Sequence, residues 1–325
     1  MPKQTMMAVR LHAFGGPEVL AYEEVPLPEP GPGEVLIRIH AACLNPPDWY
    51  ARTGFANIPE AMRPTLRLPF TPGSDVSGVV AAVGPEVTEW SEGDEVFGLV
   101  RFPQLNNGGK GYAEYTTAPA SHLARKPAGI DHVQAAGIPM AALTAYQYLF
   151  DHVRLEPDRT VLVNGAAGGV GHFLVQLART RNARVIGVAS GRHAAFLRDL
   201  GVDRFIDYTS TAVEDVVRDV DHLFDTVGGP HAHRLLPVVR RGGTISPVFH
   251  GEYHRDRAAE LGITFPSGQV HSDGAQMAEL ARLVDAGLLR AGIDSVFPLA
   301  DAPKAHERAE AGHIQGKIVL QVIDD

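Results

Sequence analysis

The chain has almost no cysteine and no long apolar run. Cys43 is its only cysteine, which excludes an intramolecular disulfide and a structural zinc site built from four cysteines. No apolar stretch reaches the roughly 18 residues that a membrane-spanning helix needs, and the first residues lack the continuous apolar segment of a secretory signal. These absences predict a cytoplasmic protein with no membrane partner.

Positive charge is scarce as well. Lys and Arg number 29 against 38 Asp and Glu, which gives a formal net charge of −9. Because this charge repels polyanions, we expect no nucleic acid partner. The 325 residues exceed one ordinary hydrophobic core and suit two domains.

The first 127 residues have the pattern of a small β domain. Short apolar stretches are separated there by turns rich in Pro and Gly, which favours an antiparallel barrel or sandwich. The predicted strands are residues 7–11, 35–41, 76–83, 95–100 and 112–117. The tail ends in a similar strand at 317–323, so we expect residues 290–325 to return to this domain.

From about Asp131 the pattern changes to alternating strands and helices. After a helical region that runs to residue 150, strands are predicted near 161, 185–188, 205–206, 223–224, 244–245 and 263–265, followed by a helix at 275–286. Such alternation is typical of a parallel, doubly wound sheet. The second domain is therefore predicted at residues 128–289.

Residues 160–192 contain the unit expected at a dinucleotide site. A short apolar strand leads into a glycine-rich turn, then a helix and a second strand at 184–189. Glycine lets the backbone approach a pyrophosphate, and N–H groups at the helix start hold its charge. Ala166 stands in place of the first glycine of the usual G-x-G-x-x-G. The predicted cofactor contacts of this turn are Ala166, Gly168, Gly169, Val170 and Gly171.

The end of the second strand carries Ser190, Arg192 and His193 but no carboxylate. An NAD site usually places Asp or Glu there, on the ribose 2′-hydroxyl. A hydroxyl and a guanidinium can instead bind a 2′-phosphate, which a carboxylate would repel. The pattern therefore predicts NADP(H). The alternative is that Arg192 is merely a solvated residue in the first turn of the next helix.

Blocks along nearly the whole chain resemble medium-chain dehydrogenases/reductases. They are ACLNPPDWYAR (42–52), PFTPGSDVSGVVAAVG (69–84), GDEVFG (93–98), PMAALTAYQYL (139–149), GAAGGVG (165–171), LGVDRFIDY (200–208), FDTVGG (224–229) and GKIVL (316–320). Within this family the chain is similar to the zinc-independent quinone oxidoreductases related to zeta-crystallin. The resemblance implies an α/β fold, with a Rossmann doubly wound parallel sheet and a GroES-like β-barrel catalytic domain, commonly in a homodimer.

The positions that hold zinc in metal-dependent relatives carry other side chains here. Those relatives place a cysteine in the loop at residues 45–48 and a histidine where Ser74 and Asp75 stand. Asn and Ser are poor zinc ligands compared with thiolate and imidazole. His250 and His254 are four residues apart, but a loop or a solvated helix face explains them. The chain is therefore predicted to bind no metal.

Without a metal, the site needs hydrogen-bond donors for the oxygen of the hydride acceptor. The resemblance implies Asn45 and Tyr50 beside the nicotinamide, with Asp48 and Arg52 in support. Tyr50 could instead be a half-buried barrel tyrosine, and Asp48 and Arg52 could form a helical ion pair.

Further cofactor contacts follow from the resemblance. They are Thr144, Tyr208, Val248, Phe249 and Lys317. Thr144 could instead bond only within its own helix, and Lys317 could be a solvated strand residue.

These residues together indicate an NADPH-dependent oxidoreductase. Its expected substrate is a small molecule with a conjugated carbonyl, either a quinone or the C=C bond of an enone. An enoyl-thioester reductase and an NADPH-binding protein without turnover are the alternatives. A zinc alcohol dehydrogenase fits least, because the ligand positions are changed.

Overall fold

The computed structural model describes residues 4–56, 60, 63–102 and 109–323. The chain divides into two compact units. The first unit is Met1–Leu143, Val270–His313 and Lys317–Asp325, and the second unit is Thr144–Gln269 with Ile314–Gly316. No helix among the described residues is both long enough and apolar enough to span a membrane.

The strands and helices are numbered in chain order. The strands are β1 (Thr5–Leu11), β2 (Leu20–Pro26), β3 (Glu34–Cys43), β4 (Asp75–Val83), β5 (Glu95–Leu99), β6 (Tyr115–Pro119), β7 (Leu123–Arg125), β8 (Thr160–Asn164), β9 (Arg184–Ala189), β10 (Arg204–Asp207), β11 (Val220–Asp225), β12 (Val239–Pro247), β13 (Ile293–Pro298) and β14 (Lys317–Gln321). The α-helices are α1 (Pro46–Arg52), α2 (His132–Ala136), α3 (Pro139–Tyr146), α4 (Gly171–Arg179), α5 (Ala194–Asp199), α6 (Val213–Val216), α7 (Arg255–Glu260), α8 (Gly274–Asp285) and α9 (Ala302–Glu310).

The first unit is organised around β3. The strand order of its main sheet is β13-β14-β3-β4-β5-β7, and β6 also pairs with β3. These pairs are antiparallel except for β13 with β14. Val35, Ile37 and Ile39 alternate along β3 and are fully buried, as β-branched side chains on the core face of a strand are expected to be. β1 and β2 form a separate antiparallel pair.

The second unit contains a five-stranded parallel sheet. Its order is β10-β9-β8-β11-β12. Val161, Leu162 and Val163 of β8 have no exposed surface, which is typical of a strand covered on both faces. The predicted doubly wound Rossmann sheet is confirmed. The order reverses at β8, so the carboxyl end of β8 is the switch point where such sheets bind nucleotides.

The limits of the units differ from the predicted domain limits. The first unit reaches residue 143 rather than 127, and its next segment begins at 270 rather than 290. The reason is that α2 packs on β3 and β4, and α8 packs on β7. Helical periodicity predicts that a helix forms, but not which sheet the helix covers.

The strand pattern also differs from the prediction in two respects. Residues 263–265 form no strand, and only a single bridge joins Thr244 to Thr264. Pro266 follows, and proline lacks the N–H group that a strand ladder needs. Conversely, the apolar pattern does not predict β2, β7 or β13. Most side chains of β2 and β13 are exposed or half-buried, and β7 has only three residues.

Gly73 and Gly93 give a matched pair for testing the packing of the first unit. Gly73 precedes β4 with a φ of +88°, and Gly93 has a φ of +92°; both lie in the region that favours glycine. A Cβ at Gly73 would collide with the ring of Tyr112, whereas a Cβ at Gly93 would meet nothing within 4 Å.

We predict that Gly93→Ala lowers the free energy of unfolding by about 1–2 kcal/mol, the cost of a left-handed alanine. Gly73→Ala should lower it by more, because a steric clash adds to the same backbone strain. Chemical denaturation of both variants measures the difference. Equal losses would contradict the packing of Gly73 against Tyr112.

Candidate active site

Helix α1 begins with the loop that is predicted to serve catalysis. Pro46 and Pro47 occupy its first turn, where proline sacrifices no helical hydrogen bond. Asn45 caps the helix with an extended backbone, φ −136° and ψ 156°. The Asp48 carboxylate accepts a hydrogen bond from the Asn45 backbone N–H at 2.9 Å, which is one arm of a capping box. The sequence Asn-Pro-Pro-Asp thus fixes where α1 starts.

The Asn45 side chain is buried and its amide is fully engaged. Asn45 Nδ2 donates to Asp75 Oδ2 at 2.9 Å and to the Cys43 carbonyl oxygen at 3.3 Å. Lys317 Nζ donates to Asn45 Oδ1 at 2.5 Å and to the Leu44 carbonyl oxygen at 3.0 Å. An ammonium group has no acceptor, so the Asn45 atom that faces it must be the carbonyl oxygen. The amide N–H groups are therefore directed at acceptors within the protein.

Asp48 and Asp75 are the two buried carboxylates of this network. Asp48 also accepts from the Gly73 N–H at 2.9 Å and from the Tyr112 hydroxyl at 3.3 Å, and Asp75 accepts from the Met140 N–H at 2.9 Å. Burial raises the pKa of Asp48 to about 6 and that of Asp75 to about 7, although hydrogen bonds and a nearby positive charge oppose the rise. Both carboxyl groups therefore titrate within reach of neutral pH.

The sulfur of Cys43 lies beside the network but is not a nucleophile. Burial raises the pKa of the Cys43 thiol to about 12, so the thiol stays protonated and is a poor metal ligand. It donates to the Ile318 carbonyl oxygen at 3.1 Å. Throughout the part of the chain that the structure describes, no three His, Cys, Asp or Glu side chains converge as a metal site.

Tyr50 lies further along α1 and is half-buried. Burial raises the pKa of its phenol, so the hydroxyl is protonated at neutral pH. Its ring meets that of Trp49 edge-on, with the ring centroids 5.8 Å apart. A neutral, partly accessible phenol can donate either a hydrogen bond or a proton.

Arg52 ends α1 and is directed towards α9. Its guanidinium is 1% exposed and forms an ion pair with Glu310, and within the described ranges it makes no ion pair with Asp48. His306, also on α9, is buried, and burial together with the charge of Arg52 lowers its pKa to about 3. The alternative of a helical ion pair between Asp48 and Arg52 is therefore wrong: Arg52 joins α1 to α9.

In the second unit, the glycine-rich turn joins β8 to α4. Gly165 has a φ of +78°, and a Cβ at Gly171 would collide with the Gly165 carbonyl oxygen. Gly168 N–H donates to that oxygen at 3.0 Å, which closes the turn. The His172 N–H donates to the Gly168 carbonyl oxygen at 3.1 Å, and the Phe173 N–H to that of Val170 at 3.1 Å. The cradle therefore fits a pyrophosphate through the close approach that its glycines allow and the positive end of the α4 dipole. The other predicted contacts, Ala166, Gly169 and Val170, complete the turn.

The residues predicted for the 2′-phosphate come together at the ends of β9 and β10. Ser190 follows β9, and Arg192 and His193 lie in the next short turn. Arg192 is exposed, and its Nε lies 3.1 Å from His193 Nε2. Tyr208, which is 52% exposed, follows β10, the strand that pairs with β9.

A carboxylate that the sequence interpretation missed lies at the same place. Asp207 is the last residue of β10 and pairs in register with Ala189 of β9. Hydrogen bonds from Thr209 and from the Gly191 N–H lower the pKa of Asp207, so it is ionised and its charge opposes a 2′-phosphate. The signal was the Asp of the segment FIDY, on a neighbouring strand rather than at the end of the second one.

The remaining predicted cofactor contacts lie in separate parts of the chain. Thr144 is buried on α3. Val248 and Phe249 follow β12, and the Val248 N–H donates to the Asp225 carbonyl oxygen at 2.9 Å. Lys317 begins β14 in the first unit and is only 4% exposed, so the alternative of a solvated strand lysine is wrong.

Asp225 is a second carboxylate that the sequence interpretation missed. It ends β11 and is fully buried. Its Oδ1 accepts from Asn164 Nδ2 at 2.9 Å and from the N–H groups of Val227 and Gly228 at 3.0 Å each, while its Oδ2 accepts from the Tyr253 hydroxyl at 2.8 Å. Asp225 thereby holds the ends of β8 and β11 to the loop after β12. An Asp within the apolar strand of FDTVGG was the available signal.

Two family models match the chain. The model of the alcohol dehydrogenase GroES-like domain matches residues 31–128, and that of the zinc-binding dehydrogenase matches residues 200–320. They cover parts of both units.

Known proteins match over nearly the full length. The chain is 30% identical to the chloroplastic quinone-oxidoreductase QR1 of Triphysaria versicolor, over 99% of this chain and 100% of that protein. It is 33% identical to the chloroplastic NADPH-dependent alkenal/one oxidoreductase of Arabidopsis thaliana, over 99% of this chain and 81% of that protein. The solved quinone oxidoreductase from Coxiella burnetii is 32% identical and covers 98% of this chain and 100% of its own, with a TM-score of 0.87. The chain therefore belongs to the medium-chain dehydrogenase/reductase family, as an oxidoreductase of the quinone-oxidoreductase type.

Proposed function

We propose that this protein uses NADPH to reduce a conjugated carbonyl compound, either a quinone or the C=C bond of an enone, without a metal ion. The observation that carries the proposal is the contrast between the side chain that caps α1 and a tyrosine further along the same helix. Asn45 is enclosed in a buried network with Lys317, whereas Tyr50 is half-buried and keeps its proton. Such a site offers a proton donor but no thiolate nucleophile.

The second unit supplies residues that fit NADP(H). The turn at residues 165–171 has no room for a Cβ at Gly171, and it presents the start of α4 to a pyrophosphate. Ser190 and Arg192 provide a hydroxyl and a guanidinium for the 2′-phosphate, with Tyr208 at the adjacent strand end. When bound, NADPH supplies the hydride.

The first unit provides the proton. A conjugated carbonyl that gains a hydride becomes an enolate or a hydroquinone anion, which must be stabilised and protonated. Tyr50 is the proposed donor, because its raised pKa keeps the phenol protonated at neutral pH. The N–H groups of Asn45 face Asp75 and Cys43, so we assign Asn45 to holding the start of α1 rather than to the substrate oxygen.

The proposal of metal independence rests on the donor set. At the loop before α1, an amide takes the position of the cysteine ligand, and the nearest thiol is protonated. The ammonium of Lys317 already bonds the amide oxygen that a cation would seek. These contacts leave a zinc ion without soft, deprotonated ligands.

We also propose a homodimer in the cytoplasm. The resemblance of the chain to quinone oxidoreductases supports the dimer, and the single cysteine fits a reducing compartment. Light scattering of the purified chain measures the oligomeric state directly.

A panel of acceptors tests the activity and the substrate class. With NADPH, the protein should reduce 1,4-benzoquinone and a simple enone, and metal analysis should find no stoichiometric zinc. Turnover of a crotonyl thioester alone would replace the proposal with an enoyl-thioester reductase. Quenching of Trp49 or Trp90 fluorescence by NADPH, without oxidation by any acceptor, would indicate a binding protein instead.

Removing the Tyr50 hydroxyl tests the proton donor. Because general acid catalysis contributes about 100-fold or more, Tyr50→Phe should lower kcat for the enone by about that factor, while the Kd for NADPH stays the same. Tyr22→Phe, at an exposed tyrosine of β2, is the matched control. Full activity of Tyr50→Phe would remove the phenol from the mechanism.

Substitutions of Arg192 and Asp207, which carry opposite charges, test the preference for NADPH over NADH. Arg192→Ala should raise the KM for NADPH by about 10-fold, the value of a charge-assisted hydrogen bond, and leave that for NADH unchanged. Asp207→Asn should strengthen the preference for NADPH, because it removes the negative charge beside Gly191. Arg198→Ala, at an exposed arginine of α5, is the control. An unchanged preference in Arg192→Ala would show that Arg192 is only a solvated residue.

A further inference from the structure

Lys317 is a buried cation at the first residue of β14. β14 runs antiparallel to β3, with Val319 opposite Cys43, and the Leu44 N–H donates to the Ile318 carbonyl oxygen at 3.0 Å. Continuing this register by two residues places Lys317 opposite Asn45. The position of the ammonium is therefore set by strand pairing rather than by a flexible side chain reaching across a surface.

The contacts of Lys317 are suited to orienting one amide. Nζ donates to Asn45 Oδ1 at 2.5 Å and to the Leu44 carbonyl oxygen at 3.0 Å, two acceptors that adjoin the first residue of α1. On its other side the Asn45 amide donates to Asp75 Oδ2 at 2.9 Å. An amide placed between a cation and a carboxylate has one favourable orientation, because turning it over would put donor against donor and acceptor against acceptor.

We propose that Lys317 is a positioning residue: its ammonium fixes the Asn45 amide and so the start of α1, which holds Tyr50 in place for protonation of the substrate. The proposal rests on the proposed function. It differs from the cofactor contact that the family resemblance implies for this lysine, and the two roles predict different losses when the lysine is replaced.

Replacing the lysine separates positioning from cofactor binding. Lys317→Met keeps the length of the side chain and removes its charge and donors. We expect kcat for the enone to fall by about 100-fold, as a small displacement of a catalytic group causes, while the Kd for NADPH changes by less than about 2-fold. Lys304→Met, at an exposed lysine of α9, should leave both unchanged. A loss of NADPH affinity that accounts for the whole effect would overturn the proposal.

A double-mutant cycle with Asn45→Ala tests whether Lys317 acts through this amide. If it does, Lys317→Met should reduce kcat far less in the Asn45→Ala background than in the wild-type protein, because the group it orients is already absent. Equal reductions in the two backgrounds would overturn the proposal, as independent roles predict.

Protection of the Asn45 amide N–H groups can also be measured in the wild-type protein without substrate. The side-chain N–H2 resonances of Asn45, identified by their loss in Asn45→Ala, should exchange with solvent far more slowly than those of exposed Asn182. Equal exchange would overturn the proposal, even where Lys317→Met fails to fold. This measurement needs no turnover, so a protein that reduces none of the acceptors would refute the proposed function and still allow a test of the Asn45 network.

The pH dependence of stability gives a further check. The groups that face the ammonium are Cys43 on β3, Asp48 on α1, Asp75 on β4 and, through Asp48, Tyr112. Burial raises the pKa of Asp48 to about 6 and that of Asp75 to about 7, and the charge of Lys317 opposes both shifts. Since the folded protein then holds protons that the unfolded chain has lost, these groups lower stability as pH rises from about 4 to about 7.

In Lys317→Met the decline of stability with rising pH should continue to higher pH. The reason is that the positive charge, which opposes the raised pKa of Asp48 and Asp75, is gone. Denaturation of variant and wild type from pH about 4 to well above pH 7 gives the difference directly, and the other titrating groups cancel. A difference that does not change with pH would contradict the electrostatic effect of Lys317 on the two carboxyl groups.

Discussion

One buried ammonium balances the polar network of the first unit. An isolated charge in a protein interior costs several kcal/mol of desolvation, and the positive charge of Lys317 offsets part of that cost for the carboxylates of Asp48 and Asp75. Lys317 is 272 residues from Asn45 along the chain. The return of the tail as β14, beside β3, brings these two residues together, and the discontinuity of the first unit follows from it.

The second unit also contains a buried aspartate, but no cation among the described residues accompanies it. Asp225 is as deeply buried as Asp75, but it is satisfied by an amide, two backbone N–H groups and the hydroxyl of Tyr253. These four hydrogen bonds join three segments of the chain. Both units use a buried aspartate at a strand end to fix neighbouring loops.

The features predicted from sequence are those encoded locally. The strand, glycine turn and helix at residues 160–179 are adjacent in the chain, and the structure has them where the pattern places them. Asp207 was missed because it reaches Gly191 from a neighbouring strand, and the place of Lys317 depends on the register between β14 and β3. A single sequence contains the residues of such pairings but not their register, which is decided by packing of the whole sheet.

The hydrogen bonds that hold the Lys317 ammonium also restrict which substrates the proposed enzyme can reduce. A metal ion with an open position polarises even a simple carbonyl by direct coordination, whereas the Lys317 ammonium already bonds two acceptors of the protein. Activation then depends on Tyr50, a weak acid whose pKa is raised by burial. A phenol of this kind can protonate an oxygen or carbon that has become basic, but it polarises a ground-state carbonyl only weakly. The substrate must therefore be electron-poor before it binds, as quinones and enones are, because conjugation spreads the charge that the hydride delivers.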